Sequence, residues 1–254
     1  MNSVVCIKHI PDPNVPGEMD GDVLKRDGVQ GVLDPGDEFG VEAALLLKEA
    51  HGGEVTVVSM GPEPAQEASR RALSMGADRS ILITDDALRG ADALATARVL
   101  AAAIKRVEYD IVIAGVESTD GYTGTMPASL AELLGVPQLT FANALEVRDG
   151  VVSIHRQTSS GYHVVECSLP ALVTVTAGVN EPRYPSFKGI MAAKKKPHEQ
   201  LSLADLGLRA EDLSPDQRVE DLTSVEERRA GEVVADDGEG ASRIADFLKA
   251  AKVI

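Results

Sequence analysis

Ile111-Val112-Ile113-Ala114-Gly115-Val116-Glu117-Ser118-Thr119-Asp120-Gly121-Tyr122-Thr123-Gly124-Thr125 is the stretch whose reading sets the fold. Its first four residues form an unbroken apolar run, which predicts a strand covered on both faces. A loop with three glycines follows, and a helical pattern begins near Thr125. Short continuous runs of the same kind recur at residues 4–7, 55–58, 81–83 and 171–175. Between them lie helical spacings. Val41, Ala44 and Leu45 share a face behind Asp37 as candidate cap, and Ala65, Ala68 and Ala72 share one behind Pro64. Ala93, Ala97, Leu100, Ile104 and Val107 recur behind Asp92. Strands alternating with helices predict an α/β fold: a doubly wound, mostly parallel sheet with right-handed crossovers.

Working outward, residues 151–157 and 162–168 read as an antiparallel hairpin added to that sheet, turning near 159–161. Beyond residue 180 apolar runs become few. Eleven acidic residues stand against three basic ones between Glu211 and Gly240, too little apolar material to offset the entropy of ordering that stretch alone. Ile244, Phe247, Leu248 and Ala251 then sit at helical spacing. The chain is therefore read as an α/β domain over 1–190 and an extended C-terminal arm over 191–254, ending in a helix that embraces a partner.

Composition narrows the function. Forty acidic against 25 basic residues give a net charge of -15, which argues against nucleic-acid binding and against attachment to an anionic membrane. No run approaches the 18 or so apolar residues of a membrane span. Cys6 and Cys167 lie in expected strands without a spacing motif, so reduced thiols and a cytoplasmic setting are expected, with no metal site.

In an open parallel sheet, ligands bind beyond the carboxyl ends of the strands. Cys6, Met60 and the 115–125 loop fall at such ends, and the loop is the strongest candidate. Its glycines permit close backbone approach, Ser118, Thr119, Thr123 and Thr125 offer hydroxyls, and the helix that follows offers unpaired amides to a phosphate. An ordinary strand-to-helix turn has similar composition. Neither a Walker-type loop nor a Gly-x-Gly-x-x-Gly fingerprint is present; Ile7-Lys8-His9-Ile10-Pro11 follows the first strand instead. His9 with Asp12, and Glu117 with Asp120, are acid–base pairs by proximity, but solvated loop charges fit them better and no activated nucleophile is visible. No bond-making catalysis is expected.

A second segment, Asn180-Glu181-Pro182-Arg183-Tyr184-Pro185-Ser186-Phe187-Lys188-Gly189-Ile190-Met191, precedes Lys194-Lys195-Lys196. Prolines stiffen its start, and Gly189 permits backbone angles that other residues resist. An aromatic knob beside positive charge reads as a docking element or as a solvated connector.

This segment resembles the signature of the electron-transfer flavoprotein beta subunit: an Asn-Glu-Pro-Arg-Tyr run, a short variable patch, Ile-Met and a lysine cluster. Ser59-Met60-Gly61-Pro62, the run from Arg71 to Arg79 and the 115–126 loop are similar to the family in type and order, so the resemblance covers most of the chain. It implies a heterodimer with an alpha subunit that holds most of the redox FAD. This chain would bind a structural AMP through Cys6, Asp34, Pro35, Gly36, Asp37, Met60, Gly115, Val116, Glu117, Ser118, Thr119, Asp120, Gly121, Tyr122, Thr123, Gly124 and Thr125. Bifurcating members hold a second FAD there; the loop here is about three residues shorter than in mammalian-like forms, which favours AMP. Asp34 stands where many relatives carry Asn and is expected to accept from a ribose hydroxyl or an adenine amine. Partner recognition would fall to Tyr184, Pro185, Ser186, Phe187, Lys188, Gly189, Ile190 and Met191, with Lys194, Lys195 and Lys196 steering. The implied partners are acyl-CoA dehydrogenases or similar flavoenzymes as donors and a quinone reductase as acceptor.

A stand-alone nucleotide sensor of the universal-stress-protein type is the other reading. Gly121 and Gly124 have the first spacing of its glycine pattern, but Leu134 occupies the third glycine's place. An ATP-pyrophosphatase type lacks its Ser-Gly-Gly-x-Asp loop.

Overall fold

The computed structural model describes residues 1–254 except 22, 27, 218, 222, 224–230, 232, 234 and 235. Two units are distinct, Met1–Val219 and Glu220–Ile254. In the first, the chain runs through β1 (Ser3–Cys6), β2 (His9–Pro11), β3 (Met19–Asp20), β4 (Val23–Leu24) and β5 (Gly31–Leu33) into α1 (Pro35–His51). It continues through β6 (Val55–Met60), α2 (Gln66–Met75), β7 (Arg79–Ile83), α3 (Ala93–Ile104), β8 (Ile111–Gly115) and α4 (Met126–Leu134). Then come β9 (Gln138–Arg148), β10 (Val151–Thr158), β11 (Gly161–Ser168), β12 (Ala171–Val175), α5 (Phe187–Ala193) and β13 (His198–Leu201).

Among the described residues, nine strands form the main sheet in the order β11-β10-β9-β12-β8-β1-β6-β7-β13. Seven are parallel from β9 to β13, and β10 and β11 extend the sheet antiparallel. The unbroken apolar runs exist because each central strand is covered twice. Val5 of β1 and Ile111 and Ile113 of β8 face α1 and α2, while Val4, Cys6, Val112 and Ala114 face α3 and α4. Burying each such Val, Leu or Ile contributes about 1.5–3 kcal/mol. Among the described residues, no helix is long and apolar enough to cross a membrane.

The mostly parallel α/β sheet and the added hairpin are as the sequence predicts. Three details differ. Asp34, not Asp37, caps α1: its side chain accepts from the Gly36 N–H, and Asp37 lies buried in the first turn. Strand β9, unforeseen, pairs parallel with β12 at one end and antiparallel with β10 at the other, bending at Phe141 (φ 60°). Strand β13 lies past residue 190 and pairs with β7, while Leu201, Leu203 and Leu213 pack into the core beside α3. The α/β unit therefore reaches Val219, not residue 190. Polar β13 carries no apolar run, so its pattern gave no strand signal. As expected, α4 starts at Met126 with Thr125 in the N-cap position.

The second unit contains α6 (Gly240–Ala250), with Ile244 and Phe247 exposed and Arg243 bridging Asp237 at 2.8 Å. The acidic stretch between Glu211 and Gly240 lies partly outside the described residues.

Candidate nucleotide crevice and docking face

Strands β1 and β8 are neighbours, with Val5 opposite Ile113, but the chain leaves their carboxyl ends toward opposite faces of the sheet. The β1 exit leads to α1 and the β8 exit to α4, and such divergence opens a crevice. Here the two exits are stitched together. The Asp34 carboxylate accepts from the Thr119 N–H at 2.7 Å and from the Thr119 hydroxyl at 2.6 Å, besides capping α1. Asp37 Oδ2 accepts from the Lys8 N–H at 2.7 Å. Asp120 pairs with Lys8 Nζ at 2.7 Å and with the Arg26 guanidinium. Gly115 is required by closeness: a Cβ there would stand 2.9 Å from Asp37 Oδ1.

The carboxylates diverge electrostatically. Burial, aided by the neighbouring Asp34 charge, pushes Asp37 well above the usual carboxylate range against the N–H groups of Lys8 and Gly115. Burial also works to raise Asp120, yet the Lys8 ammonium and Arg26 guanidinium hold it below that range. Burial, with Asp37 nearby, pushes the Cys6 thiol up to about 12, so this group is an inert core side chain rather than a nucleophile.

Beyond this fastened half, residues 121–125 are exposed. Gly124 (φ 63°) and Tyr122 (φ 49°) turn the chain, and α4 begins without a side-chain cap, which leaves its first-turn amides available to an anion. Among the described residues, two cavities lie elsewhere: one at the amino ends of β6 and β7 beside Arg79 and Arg106, the other between the β2–β5 ribbon and α2.

The docking segment is clamped from beneath. Glu42 of α1, 4% exposed, receives Arg183 Nε and Nη2, each at 2.8 Å, and the Arg183 N–H at 3.1 Å. Arg183 Nη1 reaches Glu49 at 2.7 Å, and Asn180 Nδ2 donates to the Phe39 carbonyl at 2.9 Å. These contacts fix the backbone on either side of Pro182 and leave Tyr184 89% and Phe187 82% exposed. Ser186 caps α5 by accepting from the Gly189 N–H at 3.0 Å. Phe187 thus opens a short helix, with Ile190 and Met191 also exposed. Gly189 is helical, and its role is proximity: a Cβ there would stand 2.4 Å from the Ser74 carbonyl at the end of α2.

The electron transfer flavoprotein domain model matches residues 22–206. Curated relatives agree over the whole length. The electron transfer flavoprotein subunit beta of Mycobacterium bovis is 42% identical over 264 aligned positions, covering 100% of this chain and 99% of its own. The subunit beta of Bacillus subtilis is 36% identical over 257 positions, covering 100% of both chains. The chain belongs to the electron transfer flavoprotein family. The caffeyl-CoA reductase-Etf complex subunit CarD of Acetobacterium woodii is also similar, 40% identical over 214 positions and covering 83% of this chain.

Within this electron transfer flavoprotein chain, the structure brings Cys6, residues 34–37 and the 115–125 loop to one end of the sheet, and Met60 ends β6 beside them. Three expectations need correction. Asp34 is 0% exposed and its oxygens already hold Thr119 and Gly36, so it positions the loop rather than meeting a ribose or adenine. Asp120 is no solvated loop charge, since its side chain is 3% exposed beneath two cations. Lys196 also departs from its assigned steering role. Its ammonium donates to the Leu73 and Ala77 carbonyls at 2.9 and 2.6 Å, at the negative end of α2. Sequence reasoning missed Arg26 and Glu42, since neither belongs to a local motif. Lys8, directly after the first strand, was the signal available.

Proposed function

We propose that this chain is the small subunit of a heterodimeric electron transfer flavoprotein, pairing with an alpha subunit and supplying partner docking and a structural AMP site. One observation carries the reading: a rigidly clamped segment presents two aromatic side chains almost entirely to solvent. Large exposed aromatics are uncommon on isolated surfaces and typical of interface anchors. Phe187 would enter a pocket on an acyl-CoA dehydrogenase or similar flavoenzyme, with Tyr184, Ile190 and Met191 around it. Lys188, Lys194 and Lys195 would steer that encounter toward an acidic rim. FAD, held mainly by the alpha subunit, supplies the one- and two-electron chemistry, with a quinone reductase as onward acceptor. This chain excludes water around the docked partner, orients it and makes no covalent bond of its own.

The crevice suits AMP. Gly121 and Gly124 admit close approach, the first turn of α4 offers amides to phosphate, and Thr123 and Thr125 flank it with exposed hydroxyls. The backbone of Cys6, Gly115 and Val116 would line the floor, and the 34–37 turn would hold one wall.

The test is purification of the full chain with its associated protein, heating, and identification of released nucleotides. The expected result is a yellow heterodimer that yields FAD and AMP. Phe187→Ala should slow dehydrogenase-driven reduction severalfold while FAD stays bound. A colourless homomer, or unchanged reduction kinetics in the variant, overturns the respective half of the proposal.

A further inference from the structure

We infer that Arg26, together with Lys8, forms an ionic strap across the crevice that must open for a nucleotide to enter or leave. The inference rests on the nucleotide reading above. Both cations come from the excursion between β1 and α1, whereas Asp120 comes from the exit of β8, on the opposite wall. The Asp120 carboxylate is sealed at 3% exposure, while the Lys8 and Arg26 side chains above it are 39% and 40% exposed.

Lys8 Nζ also donates to Ser118 Oγ at 3.2 Å, and Asp34 holds Thr119 by two hydrogen bonds. Three consecutive loop residues, Ser118, Thr119 and Asp120, are therefore fastened to the β1 side, while residues 121–125 stay exposed. The fastened half sets where the exposed half can present its amides. On this reading a ligand reaches the crevice floor at Cys6 and Gly115 by passing between the joined exits. Of the three ties, Lys8 stands two residues past β1 and Asp34 caps α1, whereas Arg26 lies between β4 and β5, so it can release without disturbing β1 or α1. Arg26 is thus a positioning residue that acts through Asp120.

Half-exposed ion pairs are screened by salt, because the Debye length falls from about 10 Å at 0.1 M to about 3 Å at 1 M. The test is exchange of bound AMP against excess labelled AMP, measured on the heterodimer at several ionic strengths. In the parent, exchange should quicken with salt. Arg26→Met should exchange roughly three to ten times faster at low salt and lose most of the salt dependence, as expected for one partly exposed charge-assisted pair. Arg26→Lys should restore both.

A second readout needs no ligand. Amide hydrogen exchange over residues 116–125 in the nucleotide-free protein should quicken in Arg26→Met and recover in Arg26→Lys. Bound AMP that exchanges at the parent's rate and salt dependence in Arg26→Met overturns the strap and leaves the nucleotide reading standing. A heterodimer that neither holds nor takes up AMP overturns both.

Discussion

Removing Arg183 tests whether the docking segment is rigid because of the clamp beneath it. Arg183→Met deletes the guanidinium but keeps much of the apolar stem, leaving Glu42 buried with its two 2.8 Å partners gone. Breaking a buried pair from one side costs about 3–5 kcal/mol when both members are sealed. Arg183 is 34% exposed, so solvent screening discounts that to about 2 kcal/mol. The second link, to exposed Glu49, adds nothing to this figure. A local loss of that size makes opening of the segment roughly thirtyfold more frequent. Hydrogen exchange read by mass spectrometry over residues 180–196 measures this directly, with other regions as internal reference. Glu42→Gln combined with Arg183→Met should recover part of the loss, since neither charge is then left alone. Exchange within threefold of the parent in the single variant, or strictly additive effects in the pair, would refute the clamp.

Gly189→Ala forces a Cβ toward the Ser74 carbonyl, which as backbone cannot move aside; a cost of about 1–3 kcal/mol is expected, with faster exchange over α5 and weaker dehydrogenase coupling at unchanged FAD content. Unaltered exchange there would show that α5 need not lie against α2. Asp34→Ala removes the α1 cap, worth about 1 kcal/mol, and frees Thr119, so AMP content of the purified heterodimer should drop, whereas Asp34→Asn should keep most of it. Equal AMP in both variants would detach the loop's position from Asp34. Asp37 has its folded value raised, so its contribution favours the fold below the ordinary value of 3.8 and is lost as pH rises through the folded value. Asp37→Asn lacks that loss and should gain stability relative to the parent as pH rises above 3.8 in urea unfolding. A difference that stays constant with pH would remove the assignment.

The sequence alone determined the layered α/β architecture, because a strand buried on both faces must be apolar throughout, and runs such as residues 111–114 and 171–175 declare themselves. It also located the loop after β8 and the exposed aromatic segment, since glycine and proline act on their own neighbours. It did not reveal β13 or the two-sided pairing of β9. His198 to Leu201 is a strand only because β7 offers it an edge, and Phe141 bends β9 only because strands of opposite direction meet there. Nor did it show what Asp34, Asp120, Glu42 and Lys196 touch. Their partners stand 85 residues away at Thr119, 112 and 94 at Lys8 and Arg26, 141 at Arg183, and 123 at Leu73. Local patterns report the preferences of neighbouring residues. Which charge meets which, and so which loop is held still, depends on the sheet order that brings distant exits together.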